Sequence, residues 1–516
     1  MLVKDAGSIG IIKDKPGYAL PPGAWSDGLN VRMREGAVHK VTGHRTAIGT
    51  PSAIPYFVLP VRSTGTNAYW IYAGATDVYI TDGTTHKEIT RTSGDYTAST
   101  TSQGWSGLVF GGIPILNSGT DTPQQWATID FATPTKLTDL SNWPASTTCK
   151  FLGGFKQFLI ALDVTASGTN YPRMVKWSHA STHNSVPSSW SISDNTKDAG
   201  EYSLEATQGK LLGGRQLKDA YMLYKADSVF GMQYVGSPFV FRFFQISEEF
   251  GALSKHSMCE FEGGHFVFGT NDCVVNDGVS IKSVMTQRMR SHVYGLIDAT
   301  NFENSFVVPN FIKNEIWCCF PRAGQTWSDY CVIWNYKENT FSTRELPTTA
   351  YIGSGIVNPG DAVDWNSDTE PWDSSYESWD ERIFNPAQTR LITAGTGDTK
   401  LFLMDTTPQF DGTDFTSYVE RTGMHFDSPR TVKLCTEVAL NMDAYGPGTV
   451  EVMVGYHNAP EEGVTWSTPV SFNPKTDYKI DCMVSGKYLA LRIQSSTELF
   501  WTLNSYQMNI TDLGAG

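Results

Sequence analysis

The sequence predicts an all-β fold: a β-propeller of about six to seven blades with an additional C-terminal β-sandwich-like domain. Three observations carry this expectation. Composition favours short strands and tight turns, with aromatics at 12 %, charged residues at only 18 %, 47 Gly and 25 Pro in 516 residues. Aromatic residues fit pleated, half-buried surfaces, and Gly and Pro punctuate the chain at turns. Long apolar patterns of period 3.6 are nearly absent, so helices are not expected to build the core. The third observation is an internal repeat.

Asp77-Val-Tyr-Ile-Thr-Asp82-Gly83 recurs as Asp272-Cys-Val-Val-Asn-Asp277-Gly278. An aromatic-rich run precedes each copy, Tyr69-Trp-Ile-Tyr72 in one and His265-Phe-Val-Phe268 in the other. Lys87 and Lys282 stand at the same place after the glycine, followed by Ile89 and Val284. The pattern reads as strand, turn, strand, Asp-Gly hairpin, strand, because Asp-Gly supplies the positive φ that a two-residue hairpin requires. A weaker copy covers residues 390–405, and residues 107–117, 158–177, 221–234 and 315–334 keep the rhythm without the letters. Short strands recurring in this way match radial blades better than a sandwich.

Along the chain, residues 1–50 are punctuated by Gly and Pro and form an N-terminal arm or platform segment. Residues 51–410 are expected to form the propeller. Residues 411–516 carry longer, cleaner alternation at 432–441, 449–456 and 488–494, and are expected to form the sandwich-like platform. Inside the propeller region, residues 357–382 depart from the rhythm, with eight Asp or Glu and with Trp365, Trp372 and Trp379 at seven-residue spacing. Pro371 and the Asn, Asp and Ser content argue against a heptad helix, so an exposed loop with aromatic anchors is expected. The three tryptophans are the candidates for docking a partner. A cation site is the alternative, but no D-x-D-x-D-G spacing supports it.

Residues 1–15 hold no apolar run of signal-peptide length, and no later stretch approaches a membrane span. The chain is therefore expected to be made in a cytoplasm. Eight cysteines sit mostly in apolar runs, and without C-x-x-C pairs they read as buried, reduced thiols. His179 and His183 have H-x-x-x-H spacing, yet their surroundings are loop-like and no third ligand is near. Asp82 and Asp277 precede turn glycines and read as turn formers rather than catalytic carboxylates. Glu461-Glu-Gly463-Val-Thr-Trp466 only echoes the Asp box of sialidase-type propellers. No phosphate loop and no Ser/His/Asp or Cys/His constellation can be assembled. The expectation is a non-enzyme with no catalytic, cofactor or metal residues. Lys282, Arg288 and Arg290, with His292, form the local basic cluster. They are candidates for lining a DNA channel, or form a solvated rim paired with acidic neighbours.

Several stretches taken in order resemble the nozzle proteins of short-tailed phages, the family also called tail tubular protein B or packaged-DNA stabilisation protein. The first runs Leu20-Pro-Pro-Gly-Ala-Trp25-Ser-Asp-Gly-Leu-Asn30-Val-Arg-Met-Arg-Glu-Gly36-Ala-Val. The second covers residues 222–284. The third runs from Trp466-Ser-Thr-Pro469-Val-Ser-Phe472 to Gly486-Lys-Tyr488-Leu-Ala-Leu-Arg492, and the Trp-Asp pairs at Trp372 and Trp379 resemble the family's acidic loop. The resemblance implies a structural virion protein, assembled in the host cytoplasm into a homo-hexameric ring of the phage tail. It implies docking to the tail adaptor and to tail fibres or spikes, with transient contact to the genomic DNA that the ring conducts or gates during ejection. A net charge of −14 suits such a conduit. DNA carries one charge per ~1.7 Å of axis, so an acidic wall lets it slide where a basic wall would hold it. Alternative readings are a receptor- or glycan-binding tail protein and, behind it, a propeller glycosidase.

Overall fold

The computed structural model describes residues 1–63, 67–357, 389–397 and 399–515. Among the described residues the only α-helix is Arg290–Leu296, with single 3-10 turns at Gly17–Ala19 and Phe302–Asn304. Everything else regular is strand.

Five four-stranded antiparallel sheets follow one another in sequence. Blade 1 comprises Phe57–Arg62, Ala68–Ala73, Val78–Thr81 and His86–Glu88, each paired with the next. Blades 2, 3, 4 and 5 repeat this meander, beginning at Ser106–Phe110, Thr147–Phe155, Leu211–Leu217 and Met258–Phe261. A seven-stranded sheet then supplies two more blades. Its long strand Thr340–Ile356 slips register between Thr349 and Tyr351. The first half closes blade 6, behind Phe306–Asn310, Glu315–Phe320 and Ser328–Asn335, and the second half opens blade 7. Blade 7 continues through Thr389–Gly395 and Lys400–Met404, and its outermost strand is His44–Ala47 from the N-terminal region.

The first strands of successive blades touch one another in order, and the half-strand opening blade 7 returns to Phe57–Arg62. That closed ring makes the array a seven-bladed propeller. Each wedge between blades holds its own apolar cluster, for example Phe57, Ile71 and Ile80 of blade 1 against Trp105, Leu116 and Trp126 of blade 2. Second strands such as Ile113–Asn117, Gly264–Phe268 and Glu315–Phe320 are buried at every position. A strand covered on both faces reads as a continuous apolar run, which is why Ile-Trp-Cys-Cys-Phe shows no alternation.

Two six-stranded sheets form the sandwich. One contains Lys479–Gly486, Thr431–Tyr445 and Phe500–Ala515; the other contains Val450–His457, Tyr488–Ser495 and Ser417–Met424. Their inner faces share a core of Val438, Leu440, Val452, Val454, Leu491, Ile493 and Trp501. The sequence reading sets residues 1–50 apart as an arm, but the sheets divide that segment among their own. Asp27–Leu29 joins one sandwich sheet, Leu2–Val3, Val31–Arg34 and Ala37–Lys40 join the other, and His44–Ala47 joins blade 7.

The repeat read from the sequence falls on equivalent strands of blades 1, 5 and 7. Its turn is longer than expected. Thr81 pairs with His86 and Asn276 with Ile281, so each loop has four residues instead of two. Only the glycines take positive φ, 112° at Gly83 and 88° at Gly278. The aspartates act through their side chains. Asp82 accepts from the Thr84 and Thr85 amides at 3.0 and 2.8 Å, and Asp277 from the Val279 and Ser280 amides at 2.8 and 2.7 Å. These donors hold the Asp277 carboxyl at about 2.

Candidate functional site

Two places gather polar chemistry that a propeller does not need merely to pack: its axis and its seam with the sandwich. At the axis, the segments leading into the first strands of blades 2, 5 and 6 meet. Lys255 of blade 5 donates from Nζ to the Gly104 carbonyl of blade 2 at 2.5 Å, and the His256 Nε2 lies 2.9 Å from the Trp105 carbonyl. Gln103 donates from Nε2 to the carbonyls of Asn304 and Ala350 at 3.1 and 3.2 Å. Asn304 donates to Thr101 and Thr326. Blades 2 and 5 are not neighbours, so these bonds cross the axis. Beside them Phe57 stacks on Tyr351 at 4.8 Å, and Tyr351 packs on His256 at 4.7 Å.

The propeller is therefore plugged by its own blades at this end. Burial keeps the His256 imidazole neutral, with its pKa pushed down to about 3. Burial and the neighbouring charge of Lys150 bring Lys255 down to about 7. The plug resists protonation because nothing there can solvate a charge.

The seam is built from the same N-terminal stretch that carries the family resemblance. The Trp25 indole donates to the Ala6 carbonyl at 2.7 Å and is almost wholly buried. Asn30, at φ 55°, uses its amide to reach the Thr416 carbonyl at 2.8 Å and accepts from the Glu345 amide at 2.8 Å. Left-handed backbone is tolerated by Asn better than by most residues. Arg32 forks onto Glu315 at 2.9 and 3.1 Å and reaches Asp405 at 2.8 Å. Asp405 in turn accepts from Arg344 at 2.8 Å and Asn310 at 3.0 Å, and the Arg344 guanidinium lies over the Trp317 ring.

Two guanidinium groups and two carboxylates thus balance in a dry site, joining blades 6 and 7 to the sandwich. Burial opposes the Asp405 charge, but Arg32 and Arg344 hold its carboxyl down at about 2. Burial likewise works against the Arg32 charge, and Asp405 and Glu315 more than offset it, so its pKa rises. Chemically the arrangement is a clamp. Its charges are paired with one another, and Arg344 also donates to the Thr42 carbonyl at 3.2 Å, while the Arg344 Nε is left without a partner among the described residues.

The basic cluster predicted for a channel lies elsewhere. Lys282 is exposed on the outermost strand of blade 5, Ile281–Ser283. Arg288 donates to the Asn339 carbonyl at 2.6 Å, and exposed Arg290 stands 3.9 Å from Asp272. Asp14 accepts from the Ser291 and His292 amides next to them. These residues form the rim of blade 5, remote from the strands that surround the axis. Trp365, Trp372 and Trp379 lie outside the described residues. His179 and His183 fall in a loop, where the His179 ring accepts from the Asp198 amide at 3.0 Å. Among the described residues no three His, Cys, Asp or Glu side chains group as metal ligands.

Sequence reasoning found Trp25, Asn30 and Arg32 as part of a motif but not what they do. It missed Glu315, Arg344, Asp405, Lys255 and His256 altogether. Only a charge inside an apolar run, as at Glu315 ahead of Ile-Trp-Cys-Cys-Phe, hinted at a buried pair.

No family model matches the sequence, and no curated protein does. Among solved structures the chain is similar to PorZ, an essential bacterial surface component of the type-IX secretion system of Porphyromonas gingivalis. Identity is 9 % and the TM-score 0.36, over 73 % of this chain and 43 % of that one. It is also similar to YCF48 from Cyanidioschyzon merolae, at 8 % identity and a TM-score of 0.36, over 69 % of this chain and 96 % of that one. Likeness at this level says nothing of this chain's role, and the propeller is read from its own sheet order.

Proposed function

We propose that the chain is a structural virion protein, a subunit of the distal tail nozzle of a short-tailed phage, which assembles as a hexameric ring around the path of the DNA. The observation that carries this reading is the ordered resemblance to the nozzle family. Its first stretch is also the piece that clamps propeller to sandwich, through Trp25, Asn30 and Arg32. A conduit wall needs that kind of rigidity. In this reading the DNA path lies between copies of the chain, in keeping with the hydrogen bonds of Lys255, His256 and Gln103 that cross the propeller axis. The rim residues Lys282, Arg288 and Arg290 would meet DNA only on the face that a ring turns inwards. The net charge of −14 leaves such a wall without general attraction for phosphates. In this reading the tail adaptor and the fibres or spikes dock on the ring, and the chain catalyses no reaction.

Light scattering and negative-stain imaging of the purified chain, followed by a symmetric reconstruction of a tail containing it, test the proposal. A ring of sixfold symmetry is expected. A strict monomer that is absent from virions would overturn it.

One observation favours the second reading, a receptor- or glycan-binding tail protein. On blades 3 and 4 exposed Tyr202 stacks on Phe243 at 4.7 Å, and Tyr234 and Phe239 are exposed at and near the adjoining hairpin. Aromatic faces of this kind can pack on sugar rings. Binding of host surface polysaccharide by a monomeric chain, lost on Tyr202→Ala, would favour it over the nozzle.

A further inference from the structure

We propose that Cys435 and Cys482 form an oxidisable thiol pair that closes to a disulfide by exchange with a small-molecule disulfide, tying the outermost strand of one sandwich sheet to its neighbour. This inference does not depend on the virion reading.

The pair is placed by a bulge. Strands Thr431–Tyr445 and Lys479–Gly486 run antiparallel, with Cys435 opposite Val484 and Glu437 opposite Asp481. One residue of slip between these two pairings brings Cys482 diagonally beside Cys435, and the sulfurs stand 3.6 Å apart. The Cys482 sulfur also lies 3.5 Å from the Cys435 carbonyl. The pair is diagonal rather than directly opposite, and it is the register slip that brings the two sulfurs into contact. Bond formation therefore asks the sulfurs to approach by about 1.5 Å, a side-chain rotation in a bulge that is already locally irregular.

Access singles out the same pair. Of the eight cysteines only Cys482 is not fully buried. Cys319 and Cys331 also face each other, across the ladder of blade 6, but both are wholly enclosed. A reagent in solution reaches Cys482 and no other thiol while the fold is intact. The Cys482 thiol donates to the Cys435 sulfur, which holds Cys435 below its ordinary value and raises Cys482. Access thus makes Cys482 the entry point once its thiol has left that hydrogen bond and lost its proton, and the Cys435 sulfur, 3.6 Å away, is the one placed to resolve the mixed disulfide.

The exchange balances without another reactant. Cys482, deprotonated, attacks one sulfur of the small disulfide, forming a mixed disulfide and releasing one thiolate that takes up a proton. Cys435, deprotonated, then attacks the Cys482 sulfur, forming the protein disulfide and releasing the second small thiol. Two protein thiols are oxidised and one small disulfide is reduced to two thiols. The product cross-links a strand otherwise held by a ladder on one side only, and on which Met483 stands 82 % exposed.

The test treats the reduced, full-length chain with oxidised glutathione under native conditions, then blocks free thiols and maps peptides by mass spectrometry. The expected product is about 2 Da lighter than the reduced chain, with one disulfide joining residues 435 and 482. Cys482→Ser should take up nothing. Cys435→Ser should stop at a glutathione adduct on Cys482. A wild-type chain that keeps its reduced mass, retains the adduct on Cys482, or forms a different disulfide would overturn the proposal.

Discussion

At the scale of single residues, the charges that matter most are those withdrawn from water. Arg32, Arg344, Glu315 and Asp405 are all nearly inaccessible, and each is held by at least one opposite charge. Removing one member of such a set leaves its partners charged and unmatched, which costs about 3–5 kcal/mol. Asp405→Ala is therefore expected to lower unfolding stability by that amount in denaturant titration, because it strands the buried Arg344 guanidinium and leaves Arg32 with Glu315 alone. An exposed pair such as Lys136 with Glu88 is expected to show ~0–1 kcal/mol in the same measurement. The sequence showed Arg32 inside a motif. It could not show Glu315, 283 residues away, because a side-chain pair across that distance leaves no local pattern.

At the scale of elements, the repeat was legible because each copy specifies its own turn. Asp82 and Asp277 cap amides within three residues, and the glycine beside each supplies the one positive φ that the loop needs. The loop length was misread, since Asp-Gly is shared by two-residue turns and by these four-residue loops. Where blade 7 meets blade 1, the strands approach too closely for side chains. A Cβ on Gly355 would sit 2.4 Å from the Pro60 Cβ and 2.8 Å from the Trp70 ring, and one on Gly353 would sit 2.8 Å from Val58. Gly355→Val is expected to destabilise the chain by ~1–3 kcal/mol or more through overpacking, read as a lowered midpoint in thermal melts. Those two glycines look like ordinary strand glycines in the sequence. Their role exists only once the ring is closed.

At the scale of the whole molecule, the N-terminal segment makes one cooperative unit of two folds. It contributes strands to both sandwich sheets and the last strand to blade 7, and Arg32 anchors it between them. Calorimetry of the wild-type chain is expected to show a single unfolding transition, and Arg32→Met to separate sandwich from propeller into two. Two transitions in the wild type would contradict this.

Acid is expected to weaken the molecule as a whole. Burial pushes His39, His44 and His265 down to about 4 and His256 to about 3. Below pH ~6.5 the unfolded chain takes up protons at these rings while the folded chain does not, so each costs up to ~1.4 kcal/mol per pH unit. This loss continues until the folded-state values are reached. Asp405, held at about 2, adds its share only below about pH 4. Thermal melts from pH 7.5 down to 5 should show a steadily falling midpoint, and His256→Gln should flatten that slope.

What the sequence determined by itself was local. Alternation, turn residues and the Asp-Gly repeat specify strands and hairpins, and hence an all-β chain of blade-like units, since each such signal acts over a few residues. The tertiary structure alone decided that there are seven blades, that the axis is plugged, and that strands of residues 1–50 divide among both sandwich sheets, blade 7 and a small parallel sheet of their own. These depend on contacts between segments far apart in the chain, 151 residues for Gly104 with Lys255 and 373 for Arg32 with Asp405. Such contacts are set by ring closure and by the need to pair buried charge, and neither leaves a periodicity along the chain.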